Sequence, residues 1–227
     1  MSMHSTLRYL HAQAKSLKRI FVYYNTMKIL PKIRDVLIAP QKFFQRIQKE
    51  KGFKKAFVYF AILSLFAIVL GYIFGLLMVP IYQQILASFS LDFPMMQYTS
   101  GWVVLNTILG YLIGLLASFI VAGLLHAWIL IFGGKAEYDK TYQLYVYSRT
   151  PQFLFGWIPV LGFIAYIYGL VILIMGTMKM HKISKTKSIL MYVIPIGLFF
   201  LFLVAFWGFA VYVVATRPEI LQEILVK

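Results

Sequence analysis

Cysteine is absent from the sequence, which excludes disulfides, thiolate metal centres, prenylation and palmitoylation together. Charge is scarce as well: 13% of the 227 residues are charged and only 7 are acidic. Soluble domains carry about 25% charged and about 45–50% apolar residues, whereas 61% of this chain is hydrophobic. The composition is that of an all-α integral membrane protein, with length for roughly four to six spans of about 20 residues. The basic N-terminal stretch has no compact apolar core followed by a small-residue cleavage site, so no cleaved signal peptide is expected.

What charge there is lies unevenly. Of 22 Lys and Arg, 13 fall in residues 1–55, against two acids, Asp35 and Glu50. Tethered to a span at Lys54-Lys55-Ala56, this basic arm is expected to meet anionic lipid headgroups, not nucleic acid. Lys15, Lys18, Arg19, Lys49, Lys51, Lys54 and Lys55 are the candidate lipid contacts. Leu7, Leu10, Ala14, Leu17, Phe21 and Tyr24 recur at steps of three and four, which predicts an amphipathic helix in the headgroup plane. Pro31 breaks it, and Pro40 is placed to open a second surface helix leading to the first span.

Apolar runs at 56–79, 103–132 and 188–214 each suffice to cross a bilayer. Lys and Arg mark the N-terminal arm and the loops at 133–141 and 177–187 as cytoplasmic, and the 80–102 connector, which has neither, as external. The interval 142–178 must therefore leave the cytoplasmic side and return. Two short legs, 142–157 and 160–178, fit if they turn at Ile158-Pro159-Val160-Leu161-Gly162. The result is a five-span helical bundle over 56–214 with a short third/fourth hairpin, a cytoplasmic N-terminus and a 215–227 tail outside or in a lumen. A re-entrant hairpin that never reaches the far side satisfies the same charge count.

Small residues form stripes: Gly71 and Gly75 on the first span, and Gly110, Gly114, Ser118 and Ala122 on the second. They are expected to pack these two helices together, with homo-oligomerisation as the alternative. Tyr98, Trp102, Tyr142 and Tyr145 read as interfacial anchors. Arg149 and His126 are the intramembrane polar candidates, each roughly 10 Å from the cytoplasmic end of its helix, and so expected neighbours in one polar layer. Asp139 or Glu137 is placed to neutralise Arg149, and Pro151 frees upstream backbone groups that need other partners. Gly133-Gly134-Lys135 is a helix stop, not a phosphate loop. With no acid inside a span and four histidines in all, the chain offers no metal site, catalytic constellation or cofactor motif.

The order Pro40-x-x-Phe43-Phe44, His126 with Gly133-Gly134, Tyr142 and Tyr147 followed by Thr150-Pro151, Pro159-x-x-Gly162, then His181-x-x-Ser184 resembles the Yip family of polytopic membrane proteins. That family is named in eukaryotes for interaction with Ypt/Rab GTPases. The resemblance implies five spans, a cytoplasmic N-terminal region and a non-enzymatic role in trafficking, membrane shaping or binding another membrane protein. In a prokaryotic host the Rab partner would be lacking and the membrane-organising or partner-binding role would remain. A second reading makes the Pro-broken hairpin, with Arg149 and His126, a path for a small solute, ion or lipid.

Overall fold

The computed structural model describes residues 29–88 and 101–216. The helix expected over 7–24 with Lys15, Lys18 and Arg19, the anchor Tyr98 and residues 217–227 lie outside the described residues. Every element described is a helix: α1 (Ile29–Ile38), α2 (Pro40–Ile47), α3 (Lys54–Ser88), α4 (Gly101–Ile131), α5 (Tyr138–Ser148), α6 (Thr150–Phe155), α7 (Pro159–Met180) and α8 (Lys185–Thr216). Four of them, α3, α4, α7 and α8, are long and apolar enough to cross a membrane. Of the described residues, those up to Lys182 form one compact unit and those from Ile183 onward a second.

In the first unit, α2 opens at Pro40, where a missing N–H costs nothing in a first helical turn. It buries Phe43, Phe44 and Ile47. The α4 helix ends on a Schellman motif: Gly133 takes φ 88°, its N–H bonds the Leu130 carbonyl at 2.9 Å, and the Gly134 N–H bonds the Ile129 carbonyl at 3.0 Å. Gly134 is also sterically required, because a β-carbon there would lie 2.5 Å from Ile129 Cγ2 and 3.0 Å from His181 Nδ1. Both glycines of the motif are thus backbone requirements.

The leg expected over 142–157 is not one helix. It begins at Tyr138 and breaks at Arg149 into α5 and α6. Pro151 cannot donate to the Tyr147 carbonyl four residues back, and the Thr150 hydroxyl donates to it instead, at 2.7 Å. With its side-chain amide oriented to donate, Gln152 serves the Ser148 and Arg149 carbonyls at 3.2 and 2.9 Å. The break therefore leaves few backbone groups unserved.

Residues Thr141–Ser148 are all buried, on every face of α5. The helix runs between α3, α4 and α7, so its surroundings are protein and not lipid. Tyr142 and Tyr145, expected as interfacial anchors, are core residues at 0% and 7% exposure. Trp102 is exposed near the start of α4. Five buried hydroxyl side chains in TYQLYVYS suit a helix that must fill space and bond its neighbours at once.

The α5–α6 pair tracks α3. Near its start Asp139 Oδ2 accepts the Gly52 N–H at 2.9 Å; Tyr145 and Phe153 both meet Phe60; Trp157 packs on Phe74, and its Cβ would lie 3.5 Å from a β-carbon at Gly71. The α7 helix then returns against α5 and α6 through glycines one heptad apart. A β-carbon at Gly162 would lie 2.8 Å from the Gly156 carbonyl oxygen, one at Gly169 would strike the end of the Gln152 side chain, and one at Gly176 would strike Leu144 and Phe44. This stripe, absent from the sequence-based reading except for Gly162, carries the closest packing in the unit.

The stripes that were expected to join α3 to α4 do something else. Gly71 faces Trp157, while Gly75, Gly110 and Gly114 have open space where a β-carbon would go. Ser118 bonds Tyr142 at 3.0 Å, and Ala122 is buried. The lower half of the α4 stripe thus makes room for α5, whose side chains are larger than those facing it. A direct α3–α4 link is the Tyr111 hydroxyl donating to the Ala61 carbonyl at 2.9 Å.

The second unit contains α8. Ser184 sits at its N-cap: its hydroxyl accepts the Lys187 N–H at 3.5 Å and its carbonyl the Ser188 N–H at 3.0 Å. In the His181-x-x-Ser184 motif, then, the histidine follows α7 and the serine starts α8.

Candidate functional site

Polar groups converge where α5 begins. Thr141, fully buried on the first turn of α5, has its Oγ1 2.7 Å from His126 Nδ1 on α4 and 3.0 Å from His181 Nε2 after α7. One hydroxyl can donate to one neutral imidazole while accepting from the other, so the three side chains form a consistent chain only when donors and acceptors alternate. His181 is wholly buried. Burial, reinforced by the His126 beside it, pushes its pKa from 6.5 down to about 4. Its Nδ1 faces Gly134 and has no protein partner among the described residues.

Zinc sites use three or four ligands. Among the described residues no third ligand joins these two histidines.

A second network lies deeper along α5. The Tyr59 hydroxyl and Thr150 Oγ1 are 2.9 Å apart, and the Lys32 ammonium donates to the Tyr147 hydroxyl at 3.0 Å. Lys32 also lies 3.5 Å from a Glu50 carboxylate oxygen. Burial lowers its pKa and Glu50 opposes that shift. Phe43 packs edge-on against Tyr147 at 4.9 Å between ring centres, so the Phe43-Phe44 pair reads Tyr147 from α2 while Lys32 reads its hydroxyl from α1. Sequence reading missed Lys32, because a lysine within an already basic arm gives no signal of burial.

Arg149 and His126 do not meet. His126 is held at the α5 start, and Arg149 lies eight residues beyond Thr141, about 12 Å along the helix. The Arg149 side chain is exposed, with its guanidinium 4.6 Å from the centre of the Tyr145 ring. The carboxylate expected to neutralise it is engaged elsewhere: Asp139 binds the Gly52 N–H and lies 3.9 Å from Lys140. Asp139 and Arg149 are at opposite ends of α5, too far apart for an ion pair. The shared polar layer is instead made by Thr141 and His181.

The rest of the α5 start is tied to the segment before α3. Gln143 donates to the Gly52 carbonyl at 2.7 Å and the Glu50 carbonyl at 3.2 Å. Lys140 also donates to the Glu50 carbonyl, and Gln48 donates to the Lys179 carbonyl at the end of α7. The 48–52 loop, the start of α5 and the end of α7 therefore close on one another. Around them Lys49, Lys51, Lys135, Lys140 and Lys182 line one cavity.

A family model described as the Yip1 domain matches residues 34–206. The chain belongs to the Yip1-domain family. The match covers α2 through most of α8 and includes Thr141 with its two histidines, Tyr147 and the α5–α6 break, but not Lys32. With four apolar helices of spanning length, this Yip1-domain chain is a multi-pass integral membrane protein. It is 29% identical over 129 residues to an uncharacterized protein of Methanocaldococcus jannaschii, an overlap covering 55% of this chain and 82% of that one. No solved structure matches it significantly. The family is associated with trafficking.

Proposed function

We propose that this Yip1-domain protein is a non-enzymatic membrane organiser that acts from one basic face, holding anionic lipid there and docking another membrane protein. The observation that carries the reading is a division of labour among polar groups. Inside the bundle, polar side chains pair with each other in His126–Thr141–His181 and in Tyr59–Thr150. Lys49, Lys51, Lys135 and Lys182 are exposed at one end of the bundle, with no carboxylate partner among the described residues. A surface of that kind attracts anionic headgroups.

The same geometry supports a reading with five spans. Lys135 and Lys182 line one cavity, so the chain between them departs from and returns to one end of the bundle. The outward leg runs beside α3 from Gly52 to Gly71, roughly 28 Å at helical rise, which is close to the ~30 Å of a hydrocarbon core. The α5–α6 pair is then the third crossing and α7 the fourth. The N-terminus and the lysine end are cytoplasmic, and the end of α8 lies outside or in a lumen.

Co-sedimentation of a peptide of residues 1–55, the basic arm, with vesicles tests the lipid part. Binding is expected with phosphatidylglycerol present, weakening as salt rises, and indifference to both would remove it. Crosslinking and affinity capture from native membranes tests the partner part. Recovery of no membrane protein in stable proportion would contradict it.

A further inference from the structure

We propose that the cavity between the α2–α3 loop, the α4–α5 loop and the end of α7 binds a phosphate-bearing anion. The proposal deepens the basic-face reading and rests on it, but its test turns on Lys135 and Lys182, outside the 1–55 arm. The cavity has a volume of about 800 Å³, within the roughly 300–1,000 Å³ of small-ligand sites. Lys49, Lys51, Lys135, Lys140 and Lys182 line it, against Glu137 and Asp139.

The two carboxylates do not cancel this charge. Asp139 Oδ2 accepts the Gly52 N–H and lies 3.9 Å from Lys140, its Oδ1 is buried without a partner among the described residues, and Lys140 also donates to the Glu50 carbonyl. That leaves four lysines facing Glu137, none of them in an ion pair among the described residues. Like charges gathered around one space repel, and a multiply charged anion with several acceptor oxygens relieves the repulsion. Lysine suits phosphate as a mobile point charge.

One backbone feature agrees. Lys182 takes φ 57°, in the left-handed region, at a position after a helix that ordinarily goes to glycine. A lysine side chain is present where glycine would serve the backbone better. Strain of this kind gathers at binding sites.

The shared chemistry is the phosphate, and its source is either a phospholipid headgroup reached from the bilayer surface or a soluble polyphosphate. Thermal unfolding of the full chain in neutral detergent separates them. Pyrophosphate, short-chain phosphatidylglycerol and short-chain phosphatidylcholine are titrated against wild type, Lys135→Gln/Lys182→Gln and the equal-charge control Lys42→Gln/Lys187→Gln. All four lysines are exposed, so the variants are expected to fold.

The expected result is saturable stabilisation by pyrophosphate, phosphatidylglycerol or both. The pocket variant should need about tenfold more ligand and the control little more than wild type. Stabilisation by the lipid alone assigns a headgroup, and by pyrophosphate alone a soluble ligand. No saturable stabilisation, equal loss in both variants, or equal stabilisation by phosphatidylcholine would overturn the proposal. Vesicle binding by the arm peptide alongside such a failure would leave the basic-face reading standing and remove only the pocket.

Discussion

Thr141 Oγ1 lies 3.0 Å from His181 Nε2, so the first turn of α5 is tied to the residue that ends α7. The same hydroxyl reaches His126 on α4, and three elements meet at one oxygen. Thr141→Val keeps the shape and strands the buried His181 nitrogen and the half-buried His126 nitrogen, at a cost of about 1–3 kcal/mol. Thr141→Ser should recover most of it. Unfolding midpoints of the two variants in one detergent check this, and equal midpoints would show that the bridge is incidental.

Acid should weaken the same junction. Because burial and His126 hold the His181 pKa at about 4, below the ordinary 6.5, the unfolded chain binds more protons than the folded one between those values. Stability therefore rises with pH across that window and falls as pH drops through it. Unfolding temperatures measured from pH 7 to 4.5 should decline for wild type and decline less for His181→Gln. Parallel curves would assign the acid sensitivity to other groups.

Glycines in this bundle are not equivalent. Gly162→Ala puts a β-carbon 2.8 Å from the Gly156 carbonyl oxygen, a backbone atom that cannot swing aside, whereas Gly110→Ala meets nothing. The first should lower the unfolding temperature, and the second should leave it or raise it slightly, since alanine favours a helix interior over glycine by roughly 1 kcal/mol. Comparable losses in both would show that the α4 stripe is occupied, as it would be in a homo-oligomer.

Thr150 answers for Pro151. Its hydroxyl serves the Tyr147 carbonyl at 2.7 Å and lies 2.9 Å from the Tyr59 hydroxyl. Thr150→Val removes both contacts without changing volume and should destabilise by about 1–3 kcal/mol, while Tyr59→Phe, which removes one, should cost less. A thermal melt ranks them, and the reverse order would contradict the assignment.

The sequence made some of this legible and hid the rest for physical reasons. Long apolar runs announced α3, α4 and α8 because lipid-facing helices must be apolar all round. The requirement that Lys135 and Lys182 share a side was a charge argument, and their common cavity agrees with it. α5 misled because its tyrosines suit an interface as well as a core, and only the elements around it decide between them. Gly169 and Gly176 could have been found from their seven-residue spacing with Gly162, which places all three on one helix face. The bond from Thr141 to His181 could not, since nothing in a linear pattern brings residues 40 positions apart to a shared hydroxyl.

The lipid reading and the phosphate cavity need the lysine end of the bundle on the cytoplasmic side, and the five-span reading needs the α6–α7 turn on the other. The chain has no native cysteine, so single-cysteine labelling tests this directly with Lys135→Cys and with Val160→Cys, whose native side chain is 75% exposed beside the turn. In oriented native membranes, an impermeant maleimide should label Lys135→Cys only from the cytoplasmic face and Val160→Cys only from the opposite one. Labelling of both from the same face, or protection of Val160→Cys from both, would contradict a hairpin that crosses the membrane.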